Sequence, residues 1–334
     1  MNESVIIGPS ETSSSLPEVY LWGIDFIKLI QQIENPALTS LVKFITALGS
    51  AYFFLPAIIL IFWLIDEKRG FNLGVLIIVS AWINIFLKEV FKQPRPFHIE
   101  ASVGLAATSG FGIPSGHAQT SIIFWVSMAA WLSQAYAEKK QKQLAIWTLA
   151  FFIVLLIGFT RLYLGVHFPT DLLAGWAIGL AILALWFFPG GFLAQKLALG
   201  GIRAQNIAVA VAALIMNGLI PADRTLPALF LGFCLGYNTM KQRFPFSAQP
   251  ENNGKKTGAK TKTFRCLTGF AGTAILFLAL RLILPGEGSL FGSVPLWGDA
   301  SPFYETGDFI RYGLLGFWVS AGAPRLFQQM GLAK

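Results

Sequence analysis

Nine apolar stretches recur along the chain, at about 49–65, 71–91, 117–136, 144–160, 171–188, 206–220, 226–240, 267–284 and 309–323. A helical crossing of the bilayer core takes about 20 apolar residues. In lipid, only helices and closed barrels can satisfy every backbone polar group internally. The repetition therefore predicts an all-α integral membrane protein, a polytopic helical bundle of about nine transmembrane helices. The stretches near 206, 226 and 309 are short for a full crossing. Composition points the same way: 54% of the 334 residues are hydrophobic and only 13% charged, against about 25% charged in a soluble domain.

The formal net charge of +8 could indicate nucleic acid, but its placement argues otherwise. Lys68 and Arg69 follow the first apolar stretch, Lys139, Lys140 and Lys142 the third, and Lys196 and Arg203 the fifth. Lys241, Arg243, Lys255, Lys256, Lys260, Lys262 and Arg265 follow the seventh, and Arg325 and Lys334 lie in the tail. So 16 of the 25 basic residues fall on alternate connections, as the positive-inside rule requires of cytoplasmic ones. The N-terminus is then expected outside and the C-terminus in the cytoplasm, with no nucleic-acid partner needed. The first residues lack a basic region followed by a compact apolar core, so they read as a short polar tail rather than a cleaved signal peptide. After them, Leu21, Ile24, Ile27 and Ile30 recur at three-residue spacing, the pattern of an amphipathic helix, expected here at the membrane surface. The polar run near 250–264 reads as a solvated linker. Cys234 and Cys266 sit in or beside apolar stretches and read as small buried residues, not a disulfide framework.

With that orientation, the connections after the second and fourth stretches lie on the outer face, which otherwise receives little that is basic. One carries Lys88, Arg95 and "PSGH" (Pro114–His117); the other carries Arg161, His167 and Asp171. Three cations on the face that should avoid them call for an anionic partner. The only acids nearby, Glu89, Glu100 and Asp171, do not form a matching set. An oxyanion such as a phosphate would satisfy the cluster through charge-assisted hydrogen bonds. Pro-Ser-Gly ahead of an apolar run opens a helix, whose N-terminus presents free N–H groups to anions; by itself the tetrapeptide fits an ordinary cap with an incidental histidine better. Ser115 can donate through its hydroxyl or backbone, and Gly116 lets an oxygen approach closely. His167 and Asp171, four apart across Pro169, can form a pair in which the carboxylate fixes the imidazole tautomer. His98 reads as a loop residue.

Three segments together carry a resemblance: Lys88, six residues, Arg95-Pro96; Pro114-Ser115-Gly116-His117; and Arg161, five residues, His167, three residues, Asp171. This resembles the three-part signature of the type 2 phosphatidic acid phosphatase (PAP2) superfamily, which includes lipid phosphatases, glucose-6-phosphatase and vanadium haloperoxidases. Thr160 departs from the family, which usually has serine before the arginine, but retains a hydroxyl. The resemblance implies a PAP2-type helical core with a C-terminal helical extension. It implies that His167 attacks phosphorus and forms a phosphohistidine, that Asp171 orients it, and that His117 protonates the leaving oxygen. Lys88, Arg95 and Arg161, with Ser115 and Gly116, would hold the phosphate oxygens. No metal and no cofactor is implied. The layout resembles that of glucose-6-phosphatase, with nine spans and the N-terminus outside.

Three regions are expected: a tail and interfacial helix over 1–45, a catalytic membrane core over 46–190 and a transmembrane extension over 191–334. The leading expectation is a multi-pass membrane phosphohydrolase acting on a lipid phosphate or diphosphate at the outer face, with membrane lipids as its surroundings and no defined oligomer. A lipid phosphotransferase would use the same residues. A non-enzymatic anionic-lipid transporter or scramblase would instead place cations near mid-membrane and in both halves. A vanadate-dependent oxidase would use the same anion cradle. The outer loop Pro285–Asp308 is expected to lie over the rim and filter substrates.

Overall fold

The computed structural model describes residues 17–188, 191, 196–197, 199–220, 223–249, 257–286, 289–291, 293, 297 and 301–333. The N-terminal tail, the start of the polar linker and much of the loop Pro285–Asp308 lie outside these, as do Lys255, Lys256 and Lys334. Among the described residues the regular structure is helical throughout. In chain order the helices are α1 (Glu18–Ile30), α2 (Pro36–Thr46), α3 (Ala51–Leu64), α4 (Glu67–Phe91), α5 (Pro96–Ile99), α6 (Gly116–Gln134) and α7 (Lys140–Tyr163). There follow α8 (Pro169–Phe187), α9 (Gly201–Leu219), α10 (Thr225–Arg243), α11 (Ala259–Ile283), α12 (Tyr304–Phe317) and α13 (Ala323–Gln329). A π-helical turn, Trp318–Gly322, separates the last two.

Each of the nine apolar stretches is helical, and the chain is an all-α membrane protein. By length and apolarity five helices qualify as crossings among the described residues, or six if Pro36–Gly49 and Ala51–Leu64 form one broken span. The expected count of nine is not reached on that criterion. The reason lies in the shortness or the polar content of the remainder. The α6 sequence carries Gln119, Thr120, Ser121, Ser127 and Ser133, while α12 has only 14 residues, with Glu305, Asp308 and Arg311 among them.

The chain divides into two compact units, one from Met1–Phe54 and Ile83–Leu185, the other from Leu55–Trp82 and Trp186–Lys334. In the first unit α6 packs along α7, and α1 and α2 lie against α7. The α8 sequence contains Gly175 and Gly179, four apart, and both face α6. A Cβ at Gly175 would sit 2.6 Å from the Ser115 carbonyl oxygen, and one at Gly179 would sit 2.8 Å from that of Gln119. Paired small residues let two helix backbones approach this closely in lipid, where the hydrophobic effect does not drive association.

The amphipathic face of α1 is present, with Ile24 and Ile27 buried against Val103 and Phe168. Leu21 is not part of it and is exposed, as are Val19, Trp22 and Leu29. The sequence reading did not anticipate α2. Asn35 caps it by accepting from the Leu38 amide at 2.9 Å, and Pro36 opens its first turn; both are helix-start signals.

The second unit is built on the same glycine device. Gly232 and Gly236 of α10 face Gly313, Phe317 and Ser320, and Gly316 of α12 faces the α10 backbone at Leu229 and Phe233. Arg265, expected on a solvated connection, is instead fully buried within α11. It donates to the carbonyls of Trp63 (3.0 Å), Ala248 (2.8 Å) and Leu332 (2.8 and 3.0 Å). The difference arises because α11 begins at Ala259, so Arg265 lies two turns inside the helix. Both cysteines are free thiols, Cys234 buried and Cys266 half-buried.

Candidate active site

His167 sits in the five-residue connection between α7 and α8, and local structure fixes that connection before any ligand is considered. Gly165 adopts φ +65°, with the Val103 carbonyl where a Cβ would be, so only glycine fits both the left-handed conformation and the contact. Gln31 donates to the carbonyls of Val103 and Tyr163, each at 2.8 Å. The Leu105 amide donates to the Leu164 carbonyl at 3.1 Å. On the far side of the histidine, Phe168 is buried against α1 and stacks on Tyr20 at 5.2 Å between ring centroids. The imidazole is therefore clamped from both sides along the chain.

Asp171 lies one turn further on, in the first turn of α8, and is fully buried. Its Oδ2 faces His167 Nδ1 at 3.2 Å and accepts from the Phe168 amide at 2.9 Å. Its Oδ1 accepts from Gln93 Nε2 at 2.7 Å. The opposite imidazole nitrogen, His167 Nε2, faces Arg95 Nη1 at 3.3 Å. A guanidinium has no acceptor, so Nε2 is the acceptor in this contact. The proton of a neutral His167 then lies on Nδ1, towards Asp171. Burial, and after it the charges of Arg95, Arg161, Lys88 and His117, hold His167 well below the usual histidine range. The ring is therefore neutral at neutral pH, with its Nε2 lone pair turned towards Arg95.

The same four neighbours that act on His167 are the sequence-expected ones, drawn together from three separate segments. Arg95 is almost fully buried. Its Nε donates to the Gly110 carbonyl at 2.8 Å, Nη2 to that of Ser109 at 2.9 Å and Nη1 to that of Val166 at 3.0 Å. Arg161, in the last turn of α7, donates from Nη1 to Thr46 Oγ1 at 2.8 Å. Its Nε is buried and has no hydrogen-bond partner. Lys88 is half-buried in the last turn of α4. His117 is half-buried in the first turn of α6, with the Gly49 backbone against its ring.

Ser115 caps α6 and is fully buried, and its hydroxyl also lacks a partner. Its amide donates to the Asp171 carbonyl at 3.0 Å, which joins the start of α6 to the start of α8. Gly116 packs on Asn84, whose Oδ1 would lie 3.1 Å from a Cβ there. Buried polar atoms are almost always satisfied. Two orphaned donors, Ser115 Oγ and Arg161 Nε, in one site rich in cations are groups suited to oxygens of an anion. Among the described residues no group of three or more His, Cys, Asp or Glu side chains is placed to hold a metal ion.

Several residues of the site were not legible in the sequence. Gln93 reaches Asp171. Thr46 partners Arg161 from the unanticipated α2. Asn84 braces the cradle by donating to the Pro114 carbonyl at 3.2 Å and to Gln119 Oε1 at 2.9 Å. His98, read as a loop residue, lies in the single turn α5, and its Nδ1 accepts from the Arg95 amide at 3.3 Å. The only advance signal for Gln93 and His98 was position, since both flank Arg95. Thr160 is fully buried and turns its hydroxyl back to the Ile157 carbonyl at 2.6 Å, so that hydroxyl is spent on its own helix.

Known proteins resemble this arrangement in sequence. A sequence model of the PAP2 superfamily matches residues 69–189, and one described as PAP2 superfamily phosphatase, transmembrane extension, matches residues 225–334. Phosphatidylglycerophosphatase B of Bacillus subtilis is 30% identical over 164 residues, which cover 48% of this chain and 77% of that protein. Undecaprenyl-diphosphatase of Sulfolobus acidocaldarius is 28% identical over 170 residues, 47% of this chain and 73% of that one. The crystal structure of a transmembrane PAP2 type phosphatidylglycerolphosphate phosphatase from Bacillus subtilis aligns with a TM-score of 0.45 at 28% identity, covering 54% of this chain and 89% of that one. Since the first of these relatives is matched over three quarters of its length, and the two family models account for the core and the C-terminal helices in turn, the chain belongs to the PAP2 superfamily of phosphatases.

Proposed function

We propose that the chain hydrolyses a lipid phosphate or diphosphate through a phosphohistidine on His167, without a metal ion. The observation that carries this reading is the pair of unpartnered buried donors, Ser115 Oγ and Arg161 Nε, in the same cation-rich site as a neutral imidazole. Phosphate oxygens accepting from Ser115, Arg95, Arg161, Lys88 and the Gly116 backbone would hold phosphorus near Nε2. The Nε2 lone pair attacks, the P–N bond forms, and the P–O bond to the lipid breaks. The departing oxygen takes a proton from His117. Asp171 stabilises the imidazolium that forms. Water activated by His117 then cleaves the P–N bond, releasing inorganic phosphate and restoring His167. Arg95 must leave Nε2 for attack to occur, and a phosphate accepting from the same guanidinium is what would draw it away.

The lipid assignment rests on the relatives, whose names specify a phosphatidylglycerophosphate and an undecaprenyl diphosphate, and on the site's position where α4 and α7 end and α8 begins. There a head group can enter while its tails stay in the bilayer. The catalytic core is then 46–190, with 191–334 a transmembrane extension and α1 an interfacial helix. The site faces outward, the N-terminus is outside and the C-terminus is cytoplasmic, as the distribution of basic residues supports.

Purified protein in detergent, with chelator present, should release inorganic phosphate from phosphatidylglycerol phosphate or an isoprenyl diphosphate. A rapid quench should trap an acid-labile, base-stable phosphoenzyme. His167→Ala should abolish both. Full turnover by a folded His167→Ala protein would refute the mechanism, and transfer of label to a second lipid in place of free phosphate would refute hydrolysis.

A further inference from the structure

The dyad is only as good as the aim of Asp171. A carboxylate turns about a broad two-fold torsion, so Oδ2 stays pointed at His167 only if something holds the other oxygen. Gln93 does so, and at 2.7 Å its amide contact is shorter than either contact of Oδ2. A carboxylate at neutral pH only accepts, so the amide must present its NH2 to it.

The backbone delivers Gln93 to that position in a constrained way. Lys92 closes α4 through its amide to the Lys88 carbonyl at 2.9 Å, and stands at φ +47°, in the left-handed region a non-glycine residue rarely occupies. Such strain persists where surrounding structure enforces it. Pro94 follows, restricting Gln93 to extended backbone, and the Gly112 amide donates to the Gln93 carbonyl at 2.8 Å. A Cβ at Gly112 would lie 3.1 Å from Asp171 Oδ2, so the loop that holds Gln93 also closes over the carboxylate. The turn between Lys88 and Arg95 thus does more than space two cations.

We propose that Gln93 is the positioning residue of the His167–Asp171 dyad, acting on the reaction through Asp171 rather than on the substrate. This rests on the reading of His167 as nucleophile. The test measures kcat and KM of the full chain in detergent with radiolabelled phosphatidylglycerol phosphate, for Gln93→Met, Asp171→Ala, the double variant and His167→Ala. Gln93→Met should lower kcat about 10- to 100-fold, the worth of a hydrogen bond to a charged group expressed as a rate, and leave KM within about twofold. Added to Asp171→Ala it should cost nothing further, because the group it acts through is gone. A merely structural residue would give losses that multiply. Gln93→Leu also removes the donor without adding a charge; it should lose kcat alike and carries the test should the methionine variant not fold. A kcat within about threefold of wild type, or multiplying losses, overturns the proposal. Turnover that survives His167→Ala overturns the reading of the site and this proposal with it, whereas turnover that needs His167 but not Gln93 overturns this proposal alone.

Discussion

Gly175→Ala tests whether the seam between α6 and α8 sets the geometry of the site. The added Cβ would lie 2.6 Å from the Ser115 carbonyl oxygen, 3.0 Å from Ala118 Cβ and 3.2 Å from the Gln119 amide nitrogen, where ordinary contact begins at 3.4 Å. The deficit at Ser115 is 3.4 − 2.6 = 0.8 Å. Both polar contacts are backbone atoms of the first turn of α6, so no side-chain rotation relieves them. The seam must open, and it moves Ser115, Gly116 and His117 away from His167 and Asp171. Overpacking costs about 1–3 kcal/mol, and the gain in helix propensity from Gly to Ala offsets about 1 kcal/mol, so the net loss of stability is about 0–2 kcal/mol. Activity should suffer more, since a displacement of about 1 Å at a reacting centre can cost about 100-fold. The expected result is a kcat lowered about 10- to 100-fold in a protein whose melting temperature falls only slightly. Gly218→Ala in α9 is the control, because a Cβ there meets nothing within 4 Å. It should hold kcat and gain up to about 1 kcal/mol. A Gly175→Ala protein with wild-type kcat would refute the claim that this seam sets the site.

Two further outcomes follow from buried groups. Arg265→Met strips donors from the carbonyls of Trp63, Ala248 and Leu332 and should destabilise by about 2–5 kcal/mol; Arg265→Lys, which lacks the planar fork, should recover less than half of that in thermal melts. An unchanged melting temperature would contradict the anchoring role. His167 is held well below the usual histidine range by burial and then by Arg95, Arg161, Lys88 and His117. On acidification through about pH 6.5 the unfolded chain therefore gains a proton at this position that the folded chain does not. Stability contributed by neutral His167 is present above that pH and falls below it, by up to about 1.4 kcal/mol per pH unit. Melting of His167→Gln should accordingly lose less stability between pH 7 and pH 5 than wild type; an equal loss would place the titration elsewhere.

Hydropathy alone determined that this chain is a helical membrane protein, because lipid allows the backbone only helices or closed barrels and the apolar runs are too long for barrel strands. The residues of the anion cradle were legible for a related reason. Cations are scarce in such a chain, so Lys88, Arg95 and Arg161 stand out, and two of its three histidines share their surroundings. What the sequence could not supply was the set of partners that makes those residues act together. Gln93, Thr46 and Asn84 are ordinary polar residues whose meaning is a hydrogen bond of 2.7–2.9 Å to a group up to 115 positions away. Arg265 looked like one more solvated cation until three carbonyls closed around it. Period and composition are properties of a single helix. Which glycine meets which carbonyl, and which oxygen of Asp171 is held by what, depend on contacts between helices remote in sequence, and only the packed structure fixes those.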